Sequence, residues 1–106
     1  MLPIIAGGAE VATESQRIKQ AMLPSRGRIR YVPPKRWNPN GPLPTRPGGG
    51  YIDRFGNELV RGPSRTAGES FEWDVQLSQT GRNQIGWLSR DGTHVNVNRR
   101  GQITHR

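Results

Sequence analysis

Between Phe71 and Leu77 the chain alternates strictly: Phe71, Trp73, Val75 and Leu77 take one side, and Glu72, Asp74 and Gln76 take the other. In an extended strand this sets two carboxylates on one face, about 7 Å apart. His94 lies in a second alternating run, Thr93 to Asn98, on the side of Asn96 and away from Val95 and Val97. Carboxylate, imidazole and guanidinium together can break a phosphodiester. A base takes a proton from a neighbouring hydroxyl, an acid protonates the leaving oxygen, and a cation steadies the crowded phosphorane. Ribose supplies that hydroxyl and deoxyribose does not, so the expected chemistry is cleavage of RNA through its own 2′-hydroxyl. Asp74 is the candidate base or orienter, with Glu72 beside it to position an Arg. His94 or His105 is the candidate acid, with His94 preferred; Arg90, Arg65 or Arg100 is the candidate cation, with Arg90 preferred. The bland alternative for Glu72 and Asp74 is an ordinary solvated strand face.

The composition agrees with an anionic ligand. The 106 residues carry a net charge of +8, and 14 of the 16 basic residues are Arg, whose planar fork fits phosphate oxygens. In so basic a chain, carboxylates on a face that meets phosphate oppose binding and call for a chemical role. Lys35, Arg36, Trp37, Arg65, Arg82, Arg99, Arg100 and His105 are the expected nucleic-acid contacts. No amphipathic helix carries the basic residues, which argues against a membrane surface. There is no Cys and there are only two His, so disulfides, thiolate nucleophiles and a Cys- or His-built metal site are not expected, and no cofactor is implied. DNA cleavage commonly calls for a metal, which again favours RNA. The first residues, Met1 to Gly8, lack a basic stretch and are broken by Pro3, so they do not read as a secretion signal.

Three kinds of segment must position these groups. Residues 9–23 predict one helix, with Val11, Ala12, Ile18, Met22 and Leu23 at roughly helical spacing and Pro24 ending it. Residues 24–50 hold seven of the nine prolines and close on Gly48-Gly49-Gly50, so they predict an extended arm, with Arg28–Val32 as an edge strand. Arg28, Arg30, Tyr31, Lys35, Arg36 and Trp37 interleave cations with aromatics. This suits either an arm that tracks phosphates and stacks bases or a linker that Trp37 pins down. Residues 51–106 predict a β-meander: 51–53 and 58–60 around a Gly56-Asn57 turn, then 71–77, 84–89, 93–98 and 102–105. Arg90-Asp91-Gly92 and Arg99-Arg100-Gly101 read as three-residue hairpin loops, each ending in the residue that tolerates a left-handed backbone. That grammar pairs Trp87 with Val95, Ile85 with Val97, and Val97 with Ile103. It buries Ile85, Trp87, Val95, Val97 and Ile103 together and leaves His94, Asn96 and Thr104 on the open face. A two-residue turn at Asp91-Gly92 would instead bring Trp87 beside His94. The expected fold is mainly β: a small twisted antiparallel sheet with an N-terminal helix and a Pro/Gly-rich extended arm. Residues 1–36 are expected to be a connecting segment and 37–106 the domain proper.

The runs Tyr51–Glu58, Gly62–Thr66, Phe71–Gln76, Gly86-Trp87, Ser89–Val97 and Gly101–Arg106 together resemble the polymorphic toxin type 17 domain, over a span from about Trp37 to the C-terminus. The resemblance implies a ribonuclease effector carried at the end of a large secreted protein, delivered into a rival cell's cytoplasm and neutralised by an immunity protein. The charge adds that this partner should be acidic. Glu72-Trp73-Asp74 and Asp91-Gly92-Thr93-His94, preceded by Pro34-Lys35-Arg36-Trp37, also resemble the ribosomal-RNA nuclease domain of colicins. That likeness implies a twisted antiparallel sheet and a small-subunit ribosomal RNA target, with transfer RNA as the other candidate. It carries over only Asp74 and His94, because Leu77 and Gly81 stand where the colicins have a His and a catalytic Glu. A non-catalytic basic RNA-binding module is the alternative; it would need the Arg residues but not Asp74 or His94.

Overall fold

The computed structural model of the chain describes residues 13–105. The expected helix is present in its central part as α1, Glu14–Gln20. Residues 9–12 of the expected span lie outside the described residues. Thr13 starts α1 through a capping box: its hydroxyl accepts from the Gln16 backbone N–H, and the Gln16 side chain accepts from the Thr13 N–H. The helix ends as Met22 turns to a positive φ of 61° and Pro24 follows.

Five strands form one antiparallel sheet in sequence order: β1 Tyr51–Ile52, β2 Glu58–Pro63, β3 Phe71–Gln76, β4 His94–Val97 and β5 Ile103–His105. The expected small antiparallel sheet and meander order hold. Asp53 shapes the β1–β2 turn: one carboxylate oxygen accepts from the Phe55 and Asn57 N–H groups, and Gly56 takes the left-handed backbone. The β4–β5 turn also follows the expected pattern, with Gly101 at φ 75° and Val97 opposite Ile103.

The predicted strand over residues 84–89 does not form. Its place is taken by α2, Gln79–Ile85, and a 3-10 turn, Gly86–Leu88. Ser78 caps α2 by accepting from the Gly81 N–H. Gly81 and Leu88 are buried and Ile85 packs against the core, which is helical spacing rather than alternation. The expected pairs of Trp87 with Val95 and Ile85 with Val97 are therefore absent. β4 pairs with β3 instead, Val95 opposite Val75 and Val97 opposite Trp73. Trp87, expected in the core, is 74% exposed. Residues 28–32 are not a strand either. They make scattered bonds, Ile29 N–H to Gly101 O, Tyr31 N–H to Pro24 O, and Val32 O from Arg54 N–H, because the neighbouring prolines interrupt any ladder.

One face of the sheet presents Leu59, Trp73, Val75, Val95 and Val97, all at most 1% exposed. Covering it are Ile18 and Leu23 from the α1 region and Ile29, Tyr31 and Leu43 from the arm. Within the segment expected to connect, Ile18, Leu23, Ile29 and Tyr31 thus share one core with the sheet. Side chains fasten this cover: Trp73 donates its indole N–H to Met22 O, Tyr31 its hydroxyl to Ile52 O, and Arg61 a guanidinium N–H to Ala21 O. The opposite face of the sheet is polar.

Candidate functional site

On the polar face, Asp74 of β3 stands directly opposite Asn96 of β4, and Gln76 opposite His94. Asp74 and His94 therefore project from the same side of the sheet as diagonal neighbours, at a spacing of about 7 Å. On the other flank Val60 of β2 opposes Asp74.

The Asp74 carboxylate is half-buried and only partly partnered. Oδ2 accepts from the Gln76 amide at 2.7 Å, whereas Oδ1 is buried without a hydrogen-bond partner.

His94 is held from behind. Its Nδ1 lies 3.5 Å from Asp91 Oδ2 and 3.3 Å from the Thr93 hydroxyl, and the imidazole is about a third exposed (35%). Asp91 is itself pinned, accepting from the Thr93 N–H, the Thr93 hydroxyl and the Ser89 hydroxyl. The Thr93 backbone hydrogen bond, then the Thr93 and Ser89 hydroxyls, hold its carboxyl well below the usual carboxylate range, with His94 adding a smaller push the same way. An ionised carboxylate beside Nδ1 orients the ring.

Glu72 is fully buried, and both its oxygens are engaged. Oε1 accepts from the Arg65 N–H and the Thr104 hydroxyl, and Oε2 pairs with the Arg65 guanidinium at 3.0 Å. A sealed carboxylate with these partners does not touch a ligand; it clamps Arg65 and β5 to the polar face.

The family model for Novel toxin 17 matches residues 12–105. The chain belongs to the Novel toxin 17 family. Comparison with curated proteins gives no match, and comparison with solved structures gives none either. The family assignment agrees with the toxin resemblance carried by the residues from Trp37 onward and extends the match back through α1 and the arm.

The cations of this Novel toxin 17 domain are distributed over several elements. Arg90 is exposed in the loop that carries Asp91 and leads to His94. Arg65 rests on Glu72 with more than half its side chain open to solvent. His105 is exposed on β5, opposite Asn96 in the register. Arg82 projects from the exposed side of α2. Lys35 and Arg36 lie in an exposed turn just beyond Pro33, whose carbonyl accepts from Arg54 of the β1–β2 turn. Arg99 and Arg100 sit at the far end of β4 from His94, with Arg100 paired to Glu69. Trp37 is not a free ring: it packs against the core and donates its N–H to Pro42 O.

Among the described residues, no group of three His, Cys, Asp or Glu side chains is placed to hold a metal ion. Sequence reasoning did not single out Asp91 as the partner of His94. The signal was there in Asp91-Gly92-Thr93-His94, a turn that brings residues three apart together. Thr104 as the third member of the Glu72 clamp had no such signal, since only the sheet register brings it there.

Proposed function

We propose that this Novel toxin 17 domain is an endoribonuclease that cuts RNA by transphosphorylation. The observation that carries the reading is the placement, on one sheet face, of the half-buried Asp74 carboxylate and a His94 ring with Asp91 behind it. Asp74 accepts the 2′-hydroxyl proton as the 2′-oxygen attacks phosphorus. His94 Nε2 donates a proton to the departing 5′-oxygen. The products are a 2′,3′-cyclic phosphate and a free 5′-hydroxyl. The diagonal spacing of the two groups leaves room for one phosphodiester between them. Arg90 and Arg65 offer positive charge to the phosphorane, Arg65 through the Glu72 clamp.

In this reading the domain acts as the terminal part of a larger secreted protein. It works in the cytoplasm of a competing bacterium, and an acidic immunity protein blocks its basic face in the producer. Small-subunit ribosomal RNA is the favoured substrate, with transfer RNA next. The test incubates the purified chain with ribosomes and with total tRNA, in the presence of a chelator. Discrete cuts that end in cyclic phosphate, persist in the chelator and disappear in Asp74→Asn and His94→Gln are expected. Intact RNA at enzyme excess, from a chain shown to be folded, would falsify the proposal.

A further inference from the structure

Trp87 has no part in the core or in the chemistry above, yet it is held rigidly in the open. Of the three tryptophans, Trp73 is 1% exposed with its N–H bonded to Met22 O, and Trp37 packs on the core with its N–H bonded to Pro42 O. Trp87 is 74% exposed, and its N–H has no acceptor among the described residues. Its mount is firm. Leu88 beside it is 3% exposed, Ser89 N–H bonds to Gly86 O at 3.0 Å, and the Ser89 hydroxyl oxygen lies 2.6 Å from the His94 carbonyl oxygen. The indole, in the 3-10 turn, and His94, at the start of β4, therefore flank one short loop that carries Arg90 and Asp91. The Arg28 guanidinium stands over the ring, 6.0 Å from its centroid, and the rest of the indole faces solvent. Arg28 is shared with a hollow of about 300 Å³ whose floor includes Ile29 and Ile85.

A fixed, open aromatic face beside cations, next to an apolar-floored hollow, is complementary to a flat base joined to phosphate. We propose that Trp87 is the stacking platform for an unpaired nucleobase of the bound RNA strand, with Arg28 meeting an adjoining phosphate. The inference rests on the reading of the domain as RNA-directed and adds a binding determinant to it. A stacked base contributes to affinity without touching the reacting atoms, so Trp87 governs substrate capture more than the chemical step.

The test uses the full chain carrying Asp74→Asn, which binds without cutting. A single-stranded oligoribonucleotide is added while tryptophan fluorescence and the anisotropy of a labelled strand are followed together. Binding should quench the emission, and Trp87→Phe should abolish the quench while retaining most of the affinity. Trp87→Ala should weaken binding by about 5- to 150-fold. In the cutting enzyme Trp87→Ala should raise KM and change kcat little. Quenching without any RNA cleavage by the parent chain leaves the stacking platform standing and removes the nuclease reading. Anisotropy showing tight binding with unchanged emission, or equal affinity in Trp87→Ala, overturns the platform. So does absence of RNA binding, or an equal quench by polyglutamate in place of RNA.

Discussion

Asp91 and Glu72 are carboxylates with different tasks, and their surroundings say which. Asp91 is exposed at a loop and kept ionised by hydrogen bonds from Thr93 and Ser89, so its negative charge stays behind His94 across the working pH range. Asp91→Asn keeps the size but removes that charge. Cleavage should fall by at least about tenfold in kcat, a modest share of what a general acid contributes, and the alkaline limb of the pH–rate profile, where the general acid loses its proton, should move to lower pH; an unchanged profile would remove Asp91 from the mechanism. Glu72 instead sits at zero exposure with every oxygen engaged. Glu72→Gln leaves Arg65 without its counter-charge and forces an amide N–H₂ against a donor. The expected loss is about 1–3 kcal/mol in urea unfolding. It is held to that range because Arg65 is more than half open to solvent and need not be stranded. A stability equal to the parent's would show that the clamp contributes nothing.

At the scale of elements, the arm and the β4–β5 turn lock through two glycines. Gly101 has φ 75°, and a Cβ there would run into the Arg26 carbonyl; Gly27 has φ 90°, and a Cβ there would meet the Arg100 carbonyl. Both positions need the left-handed region and the closest possible approach of two backbones. Gly101→Ala should therefore cost more than the ~1–2 kcal/mol of left-handed strain alone and lower the melting temperature by more than 5 °C, roughly what ~1 kcal/mol produces in a domain of this size. Parent-like melting would mean that the arm can lift off without loss. The elements also divide by how well their pattern shows in sequence. β3 and β4 alternate apolar and polar residues one for one, and the glycines mark the turns beside them. α2 does not advertise itself. It is seven residues long and mostly polar, and its inward positions, Gly81 and Ile85, continue to Leu88 in the turn that follows. The eye falls on Ile85 and Trp87 as an alternating pair, and the helix is missed.

For the whole molecule, the apolar face of the sheet depends on its cover. The cover comes from residues 13–50, which contain little regular structure but supply Ile18, Leu23, Ile29, Tyr31 and Leu43 to the core. A chain beginning at Trp37 should lose cooperative unfolding and near-UV circular dichroism. Retention of both would make the earlier residues an accessory. Tyr31 gives the same junction a pH dependence. Burial, then the Asp53 and Tyr51 charges, push its phenol upward, so the neutral form is favoured in the fold. With the folded pKa above the unfolded value, its contribution is complete below about pH 10 and is lost as the pH rises past it. The melting temperature should fall over that alkaline range and fall less in Tyr31→Phe, which begins from a lower neutral-pH value because the bond to Ile52 O is gone. Parallel curves for the two proteins would rule Tyr31 out as the titrating group.

Local chemistry determined a good part of this protein before any coordinates. Strand alternation put Asp74 with Glu72 and His94 with Asn96, the glycines fixed the turns, and the arginines set the sign of the ligand. Each of these follows from neighbours along the chain. The tertiary structure decided which strand lies beside β4, and so that Asn96 faces Asp74. It decided that a proline-rich arm is core rather than tether, that Glu72 is sealed by Arg65 and Thr104, and that Trp87 is outside. These outcomes depend on which distant surfaces exclude water from one another, and a linear pattern carries no record of that.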